Sequence, residues 1–574
     1  MPNHRALRDS SQVGVLISCA IGMAACLLLT GGSMLVPGNT HWLSHTDLAQ
    51  SYLGWAFFRE SPWQWPPGGS PMYGIGLGGS VYYSDSIPLL AMPFKLASPW
   101  LPDVFQYFGV WLLACFVLQA VFAWKILSLE STSWLTRLTG CLFVVTAPPM
   151  LMRLTGHMAL CGQWTILAAL YLYLRPEPRR PASAWMALAV ASILIHAYLF
   201  FMVAAIWAAD LIRRHLASPR QEMTAGVRWK ALLIEGMAMT SVALAAAWTG
   251  GLFLAAKGAA ASGFGVYKMN LLGPIDGDSW SHVGLNFPQG PGEYEGFSYL
   301  GLGGIALLAI ASIVRLLVKP REPSCTSRWW PLALVSSMLT LLAVTNHVGF
   351  GSRQWYVTLP SWIERPLAHS PIQSTGRLFW VPYYALLLGA MASLARRLRG
   401  EALAGLMLLF LALQWADLGP GLIHLDHTLQ AAARTPVPAP LEDPFWNEAG
   451  KDYRVLREVP TRLAAPEWPV LARFALQHGM ATDVVQLARV DRNRLRKVTD
   501  EQMQRLASGQ PESGTLYVIQ PAFVPTVRQH LRATDALFQL DGYIVLAPGW
   551  NRPVPAAAID LRTTTAPLPE RLHA

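Results

Sequence analysis

Charge is what this chain has least of. Only 14% of its 574 residues are Asp, Glu, Lys or Arg, against 53% hydrophobic, where a soluble globular protein carries about 25% charged residues. That scarcity excludes a soluble globular chain and points to a multi-pass membrane protein. Cysteine is nearly as scarce, with six residues at 19, 26, 115, 141, 161 and 325. None follows Cys325, so the C-terminal region carries no disulfide, and no CxxC or Cys/His spacing marks a structural metal. They read as small apolar residues in helices. No repeat has a convincing period, and no low-complexity tract precedes the last dozen residues. The formal net charge of +10 does not argue for nucleic acid, and no such partner is expected. Lys and Arg gather in short loops between apolar segments, as a positive-inside topology requires. What is plentiful, 23 Trp and 42 Pro, fits a bilayer, where rings collect at the interface and broken helices are tolerated.

Apolar segments recur at about 13–36, 104–127, 136–152, 158–174, 182–196, 198–213, 231–256, 297–318, 329–347, 378–395 and 401–418. The first is too long for a signal-peptide core of roughly 7–15 residues and lacks an A-x-A site, so a retained transmembrane helix is expected. Several others fall short of the roughly 20 residues of a perpendicular span, so tilted or broken helices follow. The stretch 182–213 has basic flanks at both ends, which belong on one side; a hairpin turning at His196-Ala197-Tyr198 satisfies that. With it, the flanks Arg5/Arg8, Lys125/Arg137, Arg175–Arg180, Arg213–Lys230, Arg315–Arg328 and Arg396–Arg399 all become cytoplasmic. The expectation is an α-helical polytopic protein of about eleven spans, N-terminus inside. Its transmembrane domain covers 1–420 with a long first outer loop, 37–103. After a Pro-rich linker (Thr435 to Asp443), a small soluble α/β domain completes 421–574. Strands are expected at Tyr453–Val459, Gly514–Gln520 and Ala536–Ala547, the last turning at Asp541-Gly542, with helices at Asn493–Ser508 and Val524–Leu531. That domain shows no catalytic motif.

The chain is organised around His45 to Leu90, a loop far longer than ordinary connections, and long ordered loops on rigid scaffolds tend to carry function. Thr46 to Glu60 reads as a helix. Leu48, Tyr52, Trp55 and Ala56 share one face; Asp47, Gln50, Ser51 and Gly54 share another, small and polar, which a substrate could approach. Asp47 is a candidate catalytic base, although Ser44-x-x-Asp47 also fits a capping-box variant. Asp85 is either a second functional carboxylate or an N-cap before Ser-Ile-Pro. Trp63, Trp65, Tyr73, Tyr82 and Tyr83 suit sugar stacking or an interfacial belt.

Arg153 and His157, in RLTGHMALCGQW, fall on the same outer side, where an Arg fork would serve a phosphate and His157 a proton; snorkelling to the interface is the plainer alternative. Lys268, Arg353 and Arg377 also converge there, against the positive-inside rule, which favours anion binding by some of them. His196 and Tyr198 at the hairpin turn, with Glu295 in the Gly292-Glu-Tyr-Glu295-Gly string, complete the candidate binding residues. Asp276-Gly-Asp278 resembles a metal–phosphate motif but is more often a turn.

A long first outer loop opening with an acidic residue on a helix, many spans and a C-terminal domain on the same side resemble the GT-C superfamily of membrane glycosyltransferases. Four stretches, HTDLAQSYLGWAFFRESPW, SVYYSDSIPLLAMPFK, RLTGHMALCGQW and QSTGRLFWVP, resemble a bacterial multi-pass family placed near that superfamily, over roughly residues 10–420. The resemblance implies a bacterial inner-membrane enzyme with a periplasmic C-terminal domain. It would take a polyprenyl-phosphate sugar donor and transfer the sugar, with inversion, to a glycan, lipid or protein acceptor. Asp47 matches the superfamily's catalytic aspartate, and Arg153 and Arg377 would hold the departing lipid phosphate. Asp47 is followed by Leu48, so the acidic pair of some GT-C enzymes is missing; no metal ligand is assigned, and a divalent cation stays open. The rivals are a transporter or flippase of lipid-linked glycans and a non-catalytic assembly protein. Transporters place ionisable residues at mid-depth and show inverted repeats, whereas here Glu235, Asp210 and Asp417 lie near segment ends.

Overall fold

The computed structural model describes residues 4–44, 46–175, 181–217, 225–255, 264–283, 286–321, 329–370, 372–435 and 441–562. Contacts divide the chain into two units, one of Met1–Trp42, Val104–Ala246 and Ala260–Arg434, the other of Leu43–Asp103, Ala247–Ala259 and Thr435–Ala574.

The first unit is helical. Among the described residues five helices are long and apolar enough to cross a membrane: Gln12–Thr30, Phe108–Ser128, Trp229–Thr249, Thr375–Ala395 and Gly400–Arg434. A sixth span results if Trp134–Val145 and Pro148–Thr155, bent by 41°, count as one; Pro148 cannot continue the preceding ladder and starts a new turn. Four shorter apolar helices, Met158–Leu174, Ala182–Ile195, Gly301–Leu317 and Trp330–Val344, fall below the length of a perpendicular span. Among the described residues, length and composition thus give five or six candidate spans where eleven were expected.

Helices Pro181–Ile195 and Ala197–Ala217 are not one rod. The Trp185 indole N–H donates to Asp210 Oδ2 at 3.0 Å across 25 residues, which a continuous helix would hold about 37 Å apart. The chain doubles back at His196, whose Nδ1 accepts the Tyr198 N–H at 3.2 Å. The last helix runs past the expected end near 418 to Arg434, because Leu418, Leu425, Leu429 and Ala433 keep a buried stripe going. Its Asp417 and Gln414 cap the neighbouring helix Gly301–Leu317, accepting the Leu302 and Gly304 N–H groups at 2.9 and 3.0 Å. At one edge of this unit Arg396 pairs with Glu130 at 2.6 Å, Arg397 Nε reaches Val318 O at 3.0 Å and the Arg321 N–H reaches Arg396 O at 3.1 Å. The helix ends near residues 130, 320 and 396 therefore lie together. A two-stranded hairpin, β1 (His347–Phe350) and β2 (Arg353–Tyr356), completes the unit.

The second unit is α/β. Strands β3 (Val455–Val459), β4 (Ala481–Thr482), β5 (Thr515–Ile519), β6 (Ala536–Leu540), β7 (Tyr543–Ala547) and β8 (Ile559–Asp560) form one sheet in the order β4-β3-β5-β7-β6-β8. The pairs β3–β4 and β3–β5 are parallel and the rest antiparallel. The β6–β7 hairpin turns at Asp541-Gly542, both at positive φ, as a type I′ turn needs. Helices Arg492–Ala507 and Val524–Gln529 match the expected pair to within two residues. Pro444–Asp452 and Trp468–Gln477 were not foreseen.

The same unit holds the long first loop. Leu53, Phe57, Tyr73 and Leu77 share a buried core with Trp446, Phe474 and Phe538. The Thr482 N–H donates to Met72 O and its carbonyl accepts the Gly74 N–H, both at 2.9 Å. The contacts thus group residues 43–103 with the C-terminal region, and the helix of the first unit carries the division to 434, not 420.

Candidate functional site

In the first unit three charged residues are delivered by short 3-10 turns. Arg153 lies on Met152–Thr155 after the Pro148-Pro149 break, Glu295 on Glu293–Gly296 after Gly292 (φ 83°), and Arg377 on Thr375–Phe379 before helix Trp380–Ala395. They meet. Arg153 Nη1 donates to Glu295 Oε2 at 2.9 Å and its Nη2 to the Glu295 carbonyl at 2.9 Å. Arg377 reaches the same Oε2 through Nε at 2.9 Å and Nη2 at 2.8 Å. All three are at least 95% buried. His157, in the left-handed region at φ 42°, brings Nε2 to 3.9 Å from Glu295 Oε1. Burial alone would raise the Glu295 carboxyl, but Arg377, then Arg153, outweigh it and hold the group down to about 2.

The Arg377 guanidinium lies 5.1 Å from the Tyr198 ring and that of Arg153 5.5 Å from the Trp380 ring. Tyr198 Oη accepts the Ser374 N–H at 2.6 Å, fixing the turn that carries Arg377, and the His196 ring sits 5.4 Å from that of Tyr198. Two guanidiniums face one carboxylate. Arg153 Nε, Thr375 Oγ1 and the Trp380 indole nitrogen are buried without a hydrogen-bond partner among the described residues.

Lys268 differs. It pairs with Glu293 at 3.2 Å and donates to Gln354 Oε1 at 2.8 Å. Glu293 also accepts Asn270 Nδ2 and the Gly290 N–H, each at 2.9 Å, which lowers its pKa against its burial. This neutral network pins a backbone crossing. A Cβ on Gly376 would lie 2.5 Å from Gly296 Cα, and one on Gly296 would lie 2.4 Å from Lys268 O. Arg353 is exposed on β2, away from any such cluster. The expected convergence of outer cations therefore reduces to Arg153 and Arg377. Asp276 is a turn residue, its carboxylate accepting the Asp278 N–H at 3.2 Å and Gln289 Nε2 at 3.0 Å. Among the described residues no group of three or more His, Cys, Asp or Glu is placed to hold a metal.

In the second unit Asp47 stands in the first turn of helix Thr46–Glu60, half-buried, and Oδ1 accepts Gln486 Nε2 at 3.0 Å. The small polar face behind it is not open to a substrate. Gln50 Nε2 donates to Tyr83 O at 3.1 Å, Ser86 Oγ to Ser51 O at 2.8 Å, and a Cβ on Gly54 would lie 2.1 Å from Ser84 Cβ. Those residues are small because the loop around Ser84 crosses them. Asp85 is buried at φ 58°, and the helix Pro88–Leu96 has Ile87, not Asp85, at its N-cap. Tyr73 and Tyr83 belong to the core, while Trp63 and Trp65 are exposed, Trp65 stacking on Trp248 at 5.7 Å. Gln486 and Glu293 were not among the expected site residues. Gln486 has no local signal, and Glu293 could have been found only by asking which carboxylate neutralises Lys268.

Residues 19–419 match a family described as a domain of unknown function, DUF6311, and residues 445–548 match the DUF6311 C-terminal domain. The chain belongs to the DUF6311 family. No curated protein matches it. The DUF6311 regions include Asp47, Arg153, Glu295 and Arg377 in the first match and Gln486 in the second.

Proposed function

We propose that this DUF6311 protein is an integral-membrane glycosyltransferase of the GT-C type. It moves a sugar from a polyprenyl-phosphate donor to a glycan, lipid or protein acceptor at the outer face of a bacterial inner membrane. Asp47 takes the proton of the acceptor hydroxyl as the oxygen attacks the anomeric carbon. The bond from that carbon to the phosphate oxygen breaks with inversion, and polyprenyl phosphate leaves. Such base assistance contributes about 10²–10⁴-fold. Arg153 and Arg377 hold the phosphate, which fork-like guanidiniums suit.

The observation that carries this reading is the imbalance at Glu295, where two buried guanidiniums share one carboxylate. Ionisable groups buried in a membrane bundle usually serve a ligand. For topology, the bent pair and the four shorter apolar helices, counted with the five long ones, make ten apolar helical segments among the described residues, and helix Ala197–Ala217, which carries Asp210, Arg213 and Arg214 towards its end, is counted as the eleventh. With the basic ends inside, the N-terminus is cytoplasmic and the C-terminal domain periplasmic.

The test uses purified protein in lipid nanodiscs with a panel of polyprenyl-phosphate sugars, following release of free polyprenyl phosphate. Release by wild type that collapses in Asp47→Asn supports the reading. Equal release by both removes Asp47 from the mechanism. No release with any donor, together with donor movement across the bilayer, would favour the flippase.

A further inference from the structure

The second unit carries one contact that assigns a task to the C-terminal domain. The segment after β4 is clamped at both ends by the first loop. At its start the Thr482 carbonyl accepts the Gly74 and Ile75 N–H groups at 2.9 and 3.1 Å. At its end the Ala488 N–H donates to Tyr83 O at 2.7 Å. Between them the buried Tyr73 hydroxyl donates to the Gln486 carbonyl at 3.1 Å. Gln486 is therefore held by its backbone, and its side-chain amide points one donor at Asp47 Oδ1, 3.0 Å away. Gln50, one turn beyond Asp47 on the same helix, donates to the same Tyr83 carbonyl as Ala488. The helix with the carboxylate and the segment with the amide are thus locked to one atom. A neutral amide orients a carboxylate without supplying the positive charge that would weaken it as a base.

We infer that Gln486 is a positioning residue: the C-terminal domain fixes the carboxylate of Asp47 in the orientation in which it receives the acceptor proton. This rests on Asp47 being the base. Misplacement by about 1 Å can cost on the order of 100-fold in rate, so Gln486→Leu, which keeps an apolar stem of similar bulk and removes the donor, should lower kcat roughly 10- to 100-fold. KM for the donor should not move, because Gln486 acts through Asp47.

The experiment is a double-mutant cycle of Asp47→Ala and Gln486→Leu on the full chain, read twice. The first readout is unfolding temperature, which needs no substrate. A hydrogen bond to a charged group should make the double variant roughly 2–5 °C more stable than additivity predicts. The second is release of polyprenyl phosphate. Gln486→Leu should slow wild type but not slow Asp47→Ala further. Additive unfolding temperatures would overturn the positioning role, as would a Gln486→Leu effect on kcat that persists undiminished in Asp47→Ala. An Asp47→Ala protein that releases product like wild type, or a wild type that releases none from any donor, overturns the glycosyltransferase reading instead.

Discussion

Replacing Glu295 with Gln should destabilise the first unit and remove a specific part of its acid sensitivity. The substitution keeps the shape of the side chain and withdraws the one negative charge that Arg153 and Arg377 share at 2.9 and 2.8 Å. The gap between the ordinary 4.5 of this carboxyl and its value of about 2, at about 1.4 kcal/mol per pH unit, corresponds to about 3 kcal/mol. That agrees with the 3–5 kcal/mol cost, roughly, of orphaning a buried ion-pair partner. The sign follows from the lowered value. The carboxylate's contribution is complete above about 4.5 and disappears as pH falls towards 2. Cys115 and Cys141 are free and buried in this unit, so a thiol-reactive fluorophore at neutral pH reports its thermal unfolding, and tryptophan fluorescence follows the acid limb. Glu295→Gln should unfold at a markedly lower temperature and lose the difference between pH 4.5 and 2. Adding Arg377→Met should recover part of the loss, because one of the two stranded charges is gone. If Glu295→Gln unfolds like wild type and keeps the wild-type acid limb, the ion cluster contributes nothing in solution.

Gly376→Ala should be destabilising by at least about 2 kcal/mol, since its Cβ would meet Gly296 Cα at 2.5 Å, whereas Gly405→Ala, with open space around it, should gain up to about 1 kcal/mol of helix propensity; thermal unfolding of the pair decides. Arg377→Ala should abolish release of polyprenyl phosphate, while Arg353→Ala, exposed on β2, should leave it unchanged, as a donor-release assay would read. Deleting residues 435–574 should strip Leu53, Phe57, Tyr73 and Leu77 of the core they share with Trp446 and Phe474, so limited proteolysis should then cut within residues 43–103 while wild type resists.

Four of the six strands of the C-terminal sheet were legible because their signals are local: alternating or continuous apolar runs of five residues, and Asp541-Gly542 between two of them; the two-residue strands β4 and β8 are too short to leave such a signal. The His196 hairpin was legible for a different reason, since two basic flanks cannot face opposite sides. Pairings at long range left no such trace. Gly54 and Ser51 look like an open polar face until Ser84 and Ser86 are seen packed on them. Arg153 and Arg377 stood out as cations on the wrong side, yet their common partner lies 142 and 82 residues away. The bond from Gln486 to Asp47 spans 439 residues, and no periodicity or spacing encodes it.

Charge balance separates structure from function in the first unit. Lys268 is matched by Glu293, Arg396 by Glu130, and the pair Arg213 and Arg214 by Asp210 and Glu235. Each of these sets is neutral, as a purely structural ion pair in a low-dielectric bundle should be, because an uncompensated charge there is costly. The cluster at Glu295 also does structural work: Arg153 satisfies the Glu295 carbonyl in the turn before helix Gly301–Leu317. One arginine would suffice for that. The second, Arg377, adds a positive charge that the described residues do not balance. Among these four paired sets the one at Glu295 alone holds more cations than carboxylates, and it is the set at which an added anion would restore neutrality.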